Sequence, residues 1–347
     1  MGKAGSKAYR GAGTDRPAHR LGKMAELVTI DIGGSHARFA LASVSPGGAI
    51  ALGETVTYST GDHTSFQSAW GAFAARAGSA LPRACAIAVA GPVGGEVIRF
   101  TNNPWTIRPA LIPDTLGVER FTVVNDFAAV GHAVARVGGD QFVHLCGPEG
   151  PLPPAGTVSV VGPGTGLGVC HVWRDGAGDY RVQATEGGHV AFAPLDSVEE
   201  AILARLRLRH SRVSVERVVA GPAIVDIYET LASAEGRDIP VPDDRTLWQR
   251  GAAGEDRLAA AAVERFCLAL GSVAGDLVLA QGAGGLIIAG GLGLRIKNSL
   301  LASGFGERFR AKGRFEGLMA AIPVKIITHP QPGLLGAAAA FAQEHIA

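Results

Sequence analysis

The sequence predicts an α/β protein of two similar lobes with a cleft between them. Three observations lead there. Hydrophobic residues make up 47% and charged residues 18% of 347 residues, enough for a large buried core and too apolar for general disorder. A strand, a glycine turn and a return strand occur near the start of the chain and again near its middle. Each of these hairpins is followed by further strands and helical patterns, so a duplicated hairpin-led α/β unit is the simplest account. The 49 glycines are scattered through apolar segments without a collagen-like period, as expected of tight turns and of backbone that approaches a ligand closely.

Residues 1–23 carry six basic side chains and one acidic one and almost no large apolar group, which predicts a disordered extension. The first strand pattern begins just after Met24, at 27–32. Gly33 and Gly34 turn the chain, and 38–44 alternates back. A helical stretch at 66–76 leads to a buried strand at 84–90. Another strand at 121–125 ends at Asp126, with a helix to about 136. Gly138, Gly139 and the Pro-rich stretch 147–154 mark a boundary. The second unit has a strand at 157–161, a glycine turn at 162–168 and a return strand at 169–173. Helical patterns follow at 197–209, 224–234 and 256–281. A strand at 286–289 runs into Gly290 and Gly291. A strand at 324–328 and a helix of small residues at 334–345 close the chain. The expected lobes are 24–136, completed by the C-terminal 329–347, and 137–328.

Outside the extension the chain has 26 basic and 30 acidic residues, a net −4 that leaves no electrostatic footprint for nucleic acid. Cys85, Cys146, Cys170 and Cys267 form no CxxC pair, which argues against structural zinc and a disulfide framework. The longest uninterrupted apolar run is 84–90, so no membrane span is expected, and the reading is cytoplasmic.

Five segments could carry chemistry. In DIGGSHAR, Asp31 ends a strand beside Gly33, Gly34 and Ser35. Backbone N–H groups of such a turn can hold phosphate oxygens, and Asp31 can hold a magnesium ion through water. An ordinary hairpin turn is the alternative. The second turn, GPGTGLG, holds Gly164, Thr165, Gly166 and Gly168, with a hydroxyl donor in Thr165. It fits neither the Rossmann fingerprint nor the Walker A loop. Asp126, after Asn125 at a strand-to-helix junction, can accept a proton from a substrate hydroxyl, or can serve as a helix N-cap. Glu186 and His189 in EGGH, with Glu216 further on, suit a polyhydroxyl ligand. A structural histidine and a solvated first-turn glutamate are the alternatives. Gly290 and Gly291 at a strand end suit a ribose or a flat base.

Together and in this order, DIGGSHAR, TNNPW, NDFAAV, GPGTGLG, EGGHVAFAP, VSVERVVAGP, IIAGG, KGRF and PGLLG resemble bacterial glucokinase of the non-ROK hexokinase-type family, from about Met24 to the C-terminus. The resemblance implies the actin-like, ribonuclease-H-like ATPase fold, ATP and Mg²⁺ as cofactors, D-glucose as substrate and a homodimer. It implies that Asp126 is the general base and that Asn102, Asn125, Glu186, His189 and Glu216 hold the sugar. It further implies that the two glycine turns are phosphate loops and that Gly290 and Gly291 belong to the adenosine site. Two departures stand out. His36 occupies a position that is commonly Asn, and Pro163 has no N–H to offer phosphate. A kinase for another hexose and a sugar-sensing regulator of the same broad fold are the competing expectations. Regulators of that kind resemble proteins with a helix-turn-helix and a cysteine-rich zinc motif, which the short extension and the isolated cysteines do not provide.

Overall fold

The computed structural model of the protein describes residues 24–100 and 103–346. The expected disorder of 1–23 and the sugar contact of Asn102 lie outside the described residues.

The first sheet is built on a hairpin of β1 (Ala25–Ile32) and β2 (His36–Val44), extended by β3 (Ile50–Leu52) and β4 (Val56–Ser59), which both pair with β2. Helix α1 (Phe66–Ala77) starts where the Ser65 hydroxyl accepts the Ser68 N–H and stops at Gly78, whose φ of 64° suits glycine. Strand β5 (Ala84–Val89) is buried along its whole length, as its unbroken apolar run requires. A small ribbon of β6 (Ile98–Arg99) and β7 (Thr106–Ile107), helix α2 (Ile112–Leu116), strand β8 (Arg120–Asn125) and helix α3 (Asp126–Arg136) complete this part.

The second sheet contains β9 (Phe142–Cys146), β10 (Ala155–Pro163), β11 (Leu167–Asp175) and β12 (Tyr180–Thr185). Helices α4 (Ser197–Arg207), α5 (Glu216–Val219), α6 (Ala223–Ala234), α7 (Asp244–Ala253) and α8 (Arg257–Gln281) follow, then β13 (Ala283–Ile288). Short helices α9 (Gly290–Arg295), α10 (Lys297–Ala302), α11 (Phe305–Arg310) and α12 (Glu316–Ala320) lead to β14 (Val324–Ile327) and to α13 (Pro332–His345).

The two sheets follow the same path. One runs β3-β2-β1-β5-β8 and the other β12-β11-β10-β13-β14, each with its first three strands antiparallel and its last three parallel. This is the duplication expected from the repeated glycine hairpin. Strand β9 adds antiparallel to β14. Helix α13 lies against β1, β5 and β8, α3 lies against β11 and β12, and the two helices pack on each other between the sheets. Their close crossing needs Gly336, where a Cβ would overlap the backbone of Ala129.

The 25-residue α8 departs from the expectation that no segment suits a membrane. By length and composition it is the one described helix that could cross a bilayer, yet 72% of its apolar window is buried inside the protein. Glycines at 271 and 275 bring the α11 backbone against it, since a Cβ on Gly275 would stand 2.6 Å from the Phe309 carbonyl.

Candidate active site

The carboxyl ends of β1, β8, β10 and β13 carry the residues the sequence singles out. At β1, Asp31 accepts from Arg38 Nη1 across the hairpin at 3.3 Å. Burial raises the Asp31 pKa, with Arg38 opposing that rise. In the turn that follows, Gly33 donates its N–H to the His36 carbonyl at 2.9 Å. The N–H groups of Gly34 and Ser35 have no acceptor among the described residues, so they are available to an anion. His36 turns its Nδ1 to the Ser35 hydroxyl at 2.9 Å. The amide that ties TNNPW to this turn is Asn103. Its Nδ2 donates to the Gly33 carbonyl at 3.2 Å and its Oδ1 accepts from the Trp105 N–H at 2.9 Å.

At β8 the helix cap falls to Asn125 and not to Asp126. Asn125 is the N-cap of α3: its Oδ1 accepts from the N–H groups of Phe127 and Ala128 at 2.9 and 3.0 Å. Asp126 is therefore the first residue of the helix. Its Oδ1 accepts from Asn125 Nδ2 at 3.0 Å and from the Phe127 N–H at 2.9 Å, and Oδ2 has no hydrogen bond among the described residues. Burial first, and then the charge of Asp31, push the Asp126 pKa up to about 6. Asn125 also donates to the Gly91 carbonyl at 3.3 Å, the longest of its side-chain bonds.

The second turn is tied to the first lobe through Phe127. Its ring fills the space that a side chain at Gly162 or Gly168 would need. Gly168 is thus a packing position under α3, and the stretch open to an anion is narrower than the sequence suggests. Gly164 donates to the Gly166 carbonyl at 2.8 Å, and Leu167 donates to Glu216 Oε2 at 2.9 Å. That leaves the N–H groups of Thr165 and Gly166 without an acceptor among the described residues. Gly290, at φ 83°, begins α9 against the Pro163 carbonyl, where a Cβ would come within 2.9 Å. A Cβ on Gly291 would meet nothing within 4 Å, so its face is open.

Glu216 borders the second turn so closely that a Cβ on Gly166 would stand 2.5 Å from its carboxylate. The turn Gly187–His189 packs on the start of β11, since a Cβ on Gly187 would meet Val169 at 2.9 Å. It presents Glu186 and His189 to solvent, with His189 Nε2 3.8 Å from Glu186 Oε2. Arg212 Nη1 holds the His189 carbonyl at 2.7 Å. Sequence reasoning missed Arg38, Asn103 and Arg212. An arginine seven residues beyond Asp31 in a hairpin is the one signal that could have found Arg38. Two cavities, of about 590 and 230 Å³, lie beside Arg250 and Arg257 and beside Ser65 and Trp105.

The family model described as Glucokinase matches residues 28–344. A glucokinase of Zymomonas mobilis is 54% identical over 320 residues, covering 92% of this chain and 98% of its own. The crystal structure of a glucokinase from an Antarctic psychrotroph superposes with a TM-score of 0.81 at 32% identity, covering 92% of this chain and all of the other. A ROK family glucokinase from Streptomyces griseus, solved with glucose and AMPPNP, covers 92% of this chain and all of its own with a TM-score of 0.59 at 17% identity, a likeness of fold. The two-lobe arrangement is the actin-like ATPase fold of these sugar kinases, and the chain belongs to the glucokinase family.

Proposed function

We propose that the chain transfers the γ-phosphoryl group of ATP to the 6-hydroxyl of D-glucose, with Asp126 as general base. The observation that carries this is the partition at the start of α3. Asn125 takes the cap, which leaves Asp126 with one anchored oxygen, one free oxygen and a pKa near 6 beside two glycine turns with unused N–H groups.

The chemistry needs positioning and charge neutralisation more than covalent help. The 6-hydroxyl oxygen attacks the γ-phosphorus, the bond from that phosphorus to the β,γ-bridging oxygen breaks, and the hydroxyl proton passes to Asp126 Oδ2. General-base help of this kind is worth ~10²–10⁴-fold. The N–H groups of Gly34, Ser35, Thr165 and Gly166 face the phosphate oxygens, where donors stabilise developing charge. Asn102, Glu186, His189 and Glu216 hold the sugar hydroxyls, Asn125 joins them by exchanging its 3.3 Å bond to the Gly91 carbonyl for one to the sugar, and Gly290 and Gly291 border the adenosine. Asp31 fits a magnesium site reached through water. It is a buried carboxylate whose charge opposes that of Asp126, and no three metal-ligating side chains cluster among the described residues. Mg²⁺ bound there would neutralise phosphate oxygens.

Within the family we place the chain outside the ROK branch. The isolated cysteines and the lower similarity to the Streptomyces griseus ROK structure support that placement. The lobes divide at 136/137, with the C-terminal 329–347 in the first lobe. A cytoplasmic homodimer completes the reading, and sedimentation would test the subunit count. The deciding experiment is a coupled assay of sugar-dependent ADP formation with glucose, mannose, fructose and galactose in parallel. Turnover with another hexose in preference to glucose would favour the rival kinase, and absence of turnover with all four would favour a sugar sensor.

A further inference from the structure

We infer that Glu199, remote from the reacting atoms, is a positioning residue for sugar binding. The inference rests on the proposed glucose site. The segment 186–195 leaves the turn of Glu186 and His189 and ends at Asp196, the N-cap of α4. Its middle pairs with the stretch that leads into Glu216. Phe192 donates to the Val213 carbonyl at 3.1 Å, Val215 donates to the Val190 carbonyl at 2.9 Å, and Ala191 bridges Ser214. All three sugar-facing side chains of the second lobe therefore sit on one backbone unit. Arg212 holds that unit at the His189 carbonyl.

Glu199 holds its far end. Its Oε2 accepts from the Leu195 N–H at 2.7 Å, although the side chain is only 1% exposed. Its Oε1 has no hydrogen-bond partner among the described residues and lies 3.6 Å from Arg308 Nη2. Asp196 beside it accepts from Arg308 and, at 2.6 Å, from Arg265 Nη1, and it caps α4 through the Glu199 N–H at 3.0 Å. Two acids and two arginines thus fasten the end of the loop to α8 and α11. A carboxylate buried with one oxygen unpaired is a poor stability device, because desolvation opposes what the ion pair gains. Its service is geometric: it fixes where the loop meets α4, and so where Glu186, His189 and Glu216 stand.

Glu199→Ala in the full chain removes the acceptor. Loss of one positioned, charge-assisted hydrogen bond predicts a glucose KM raised about tenfold or more, with kcat and the ATP KM changed by less than about threefold. Glu199→Gln keeps an acceptor for Leu195 and should return the glucose KM to within about threefold of the unaltered chain. Should the alanine variant fail to fold, Glu199→Asp pulls the oxygen away from Leu195 while keeping the charge, and must show the same glucose-specific rise. An unchanged glucose KM in an active alanine or aspartate variant overturns the inference. So does equal impairment by alanine and glutamine, or a parallel loss of glucose KM, ATP KM and kcat. The unaltered chain, assayed beside them, separates the two claims: failure to phosphorylate glucose sinks the functional reading itself.

Discussion

Asp126 carries a pKa of about 6 because burial and the neighbouring Asp31 both oppose its ionisation. The folded state therefore holds the Asp126 proton up to a higher pH than the unfolded chain does. Its contribution to stability is greatest below the ordinary carboxylate range and is lost as pH rises through about 4 to 6, on the order of 3 kcal/mol in all. Catalysis runs the other way, since the base must be ionised, so kcat/KM should fall below pH ~6 along a single-proton limb. Asp126→Asn keeps the acceptor for Asn125 and the Phe127 N–H but takes no proton. It should lower kcat by roughly 10²–10⁴, with glucose affinity far less affected. It should also raise Tm by a few degrees at neutral pH by removing a buried charge. Near-normal turnover in that variant would refute the base assignment. Glu216 makes a different test, because it touches both the second turn and the side proposed for sugar. Glu216→Gln keeps an acceptor for the Leu167 N–H and should raise mainly the glucose KM. Glu216→Ala frees that N–H and should raise the ATP KM as well. Steady-state kinetics in both substrates distinguish the two outcomes.

Helix α3 is the element through which the lobes meet. It begins at Asp126, packs by Phe127 on Gly162 and Gly168, and crosses α13 at Gly336. Gly168→Ala drives a methyl group into the Phe127 ring. Overpacking of this kind costs about 1–3 kcal/mol, and because it displaces the start of α3 it should lower kcat as well. Phe127→Leu added to Gly168→Ala should recover part of both losses, while strictly additive losses would show that the ring does not transmit the strain. The same region shows what the sequence discloses and what it withholds. The glycine hairpins and the inner strands were legible, since apolar alternation and glycine punctuation are local signals, and Asp126 was legible at its strand end. The role of Asn125 as the cap was not separable from that of Asp126, because adjacent residues can both cap. Asn103 reaches Gly33 across 70 positions and Glu216 reaches Leu167 across 49, contacts that only the fold creates. Strand β9, partly exposed along its whole length at a sheet edge, has no apolar alternation to announce it, whereas β12 does alternate, with Tyr180, Val182 and Ala184 between polar residues, and was legible but passed over.

At the scale of the whole molecule, two sheets of the same path bring unlike ends together. The first contributes Asp31 and Asp126, and the second contributes Glu186, His189, Glu216 and the turn of Thr165 and Gly166. Glu186 and His189 are 81% and 59% exposed at their side chains, so both are open to a ligand arriving from solvent. Water is itself a hydroxyl nucleophile, and side chains this exposed would let it compete for the phosphoryl group. Closure on the sugar would exclude water and assemble the site in one step. The lobes are linked through α3 and α13, whose crossing at Gly336 is tight enough to act as a rigid pivot with the sheets moving about it. Glucose and ATP should therefore be coupled. A closed state in which each ligand touches both lobes predicts that the two together protect amides of the Gly187–His189 turn and of the first glycine turn beyond the sum of their separate effects. Hydrogen exchange with glucose, with a non-hydrolysable ATP analogue and with both reads this directly. Protection that stays additive and confined to each ligand's own lobe would mean that the lobes do not close, and water would then have to be excluded by the bound sugar alone.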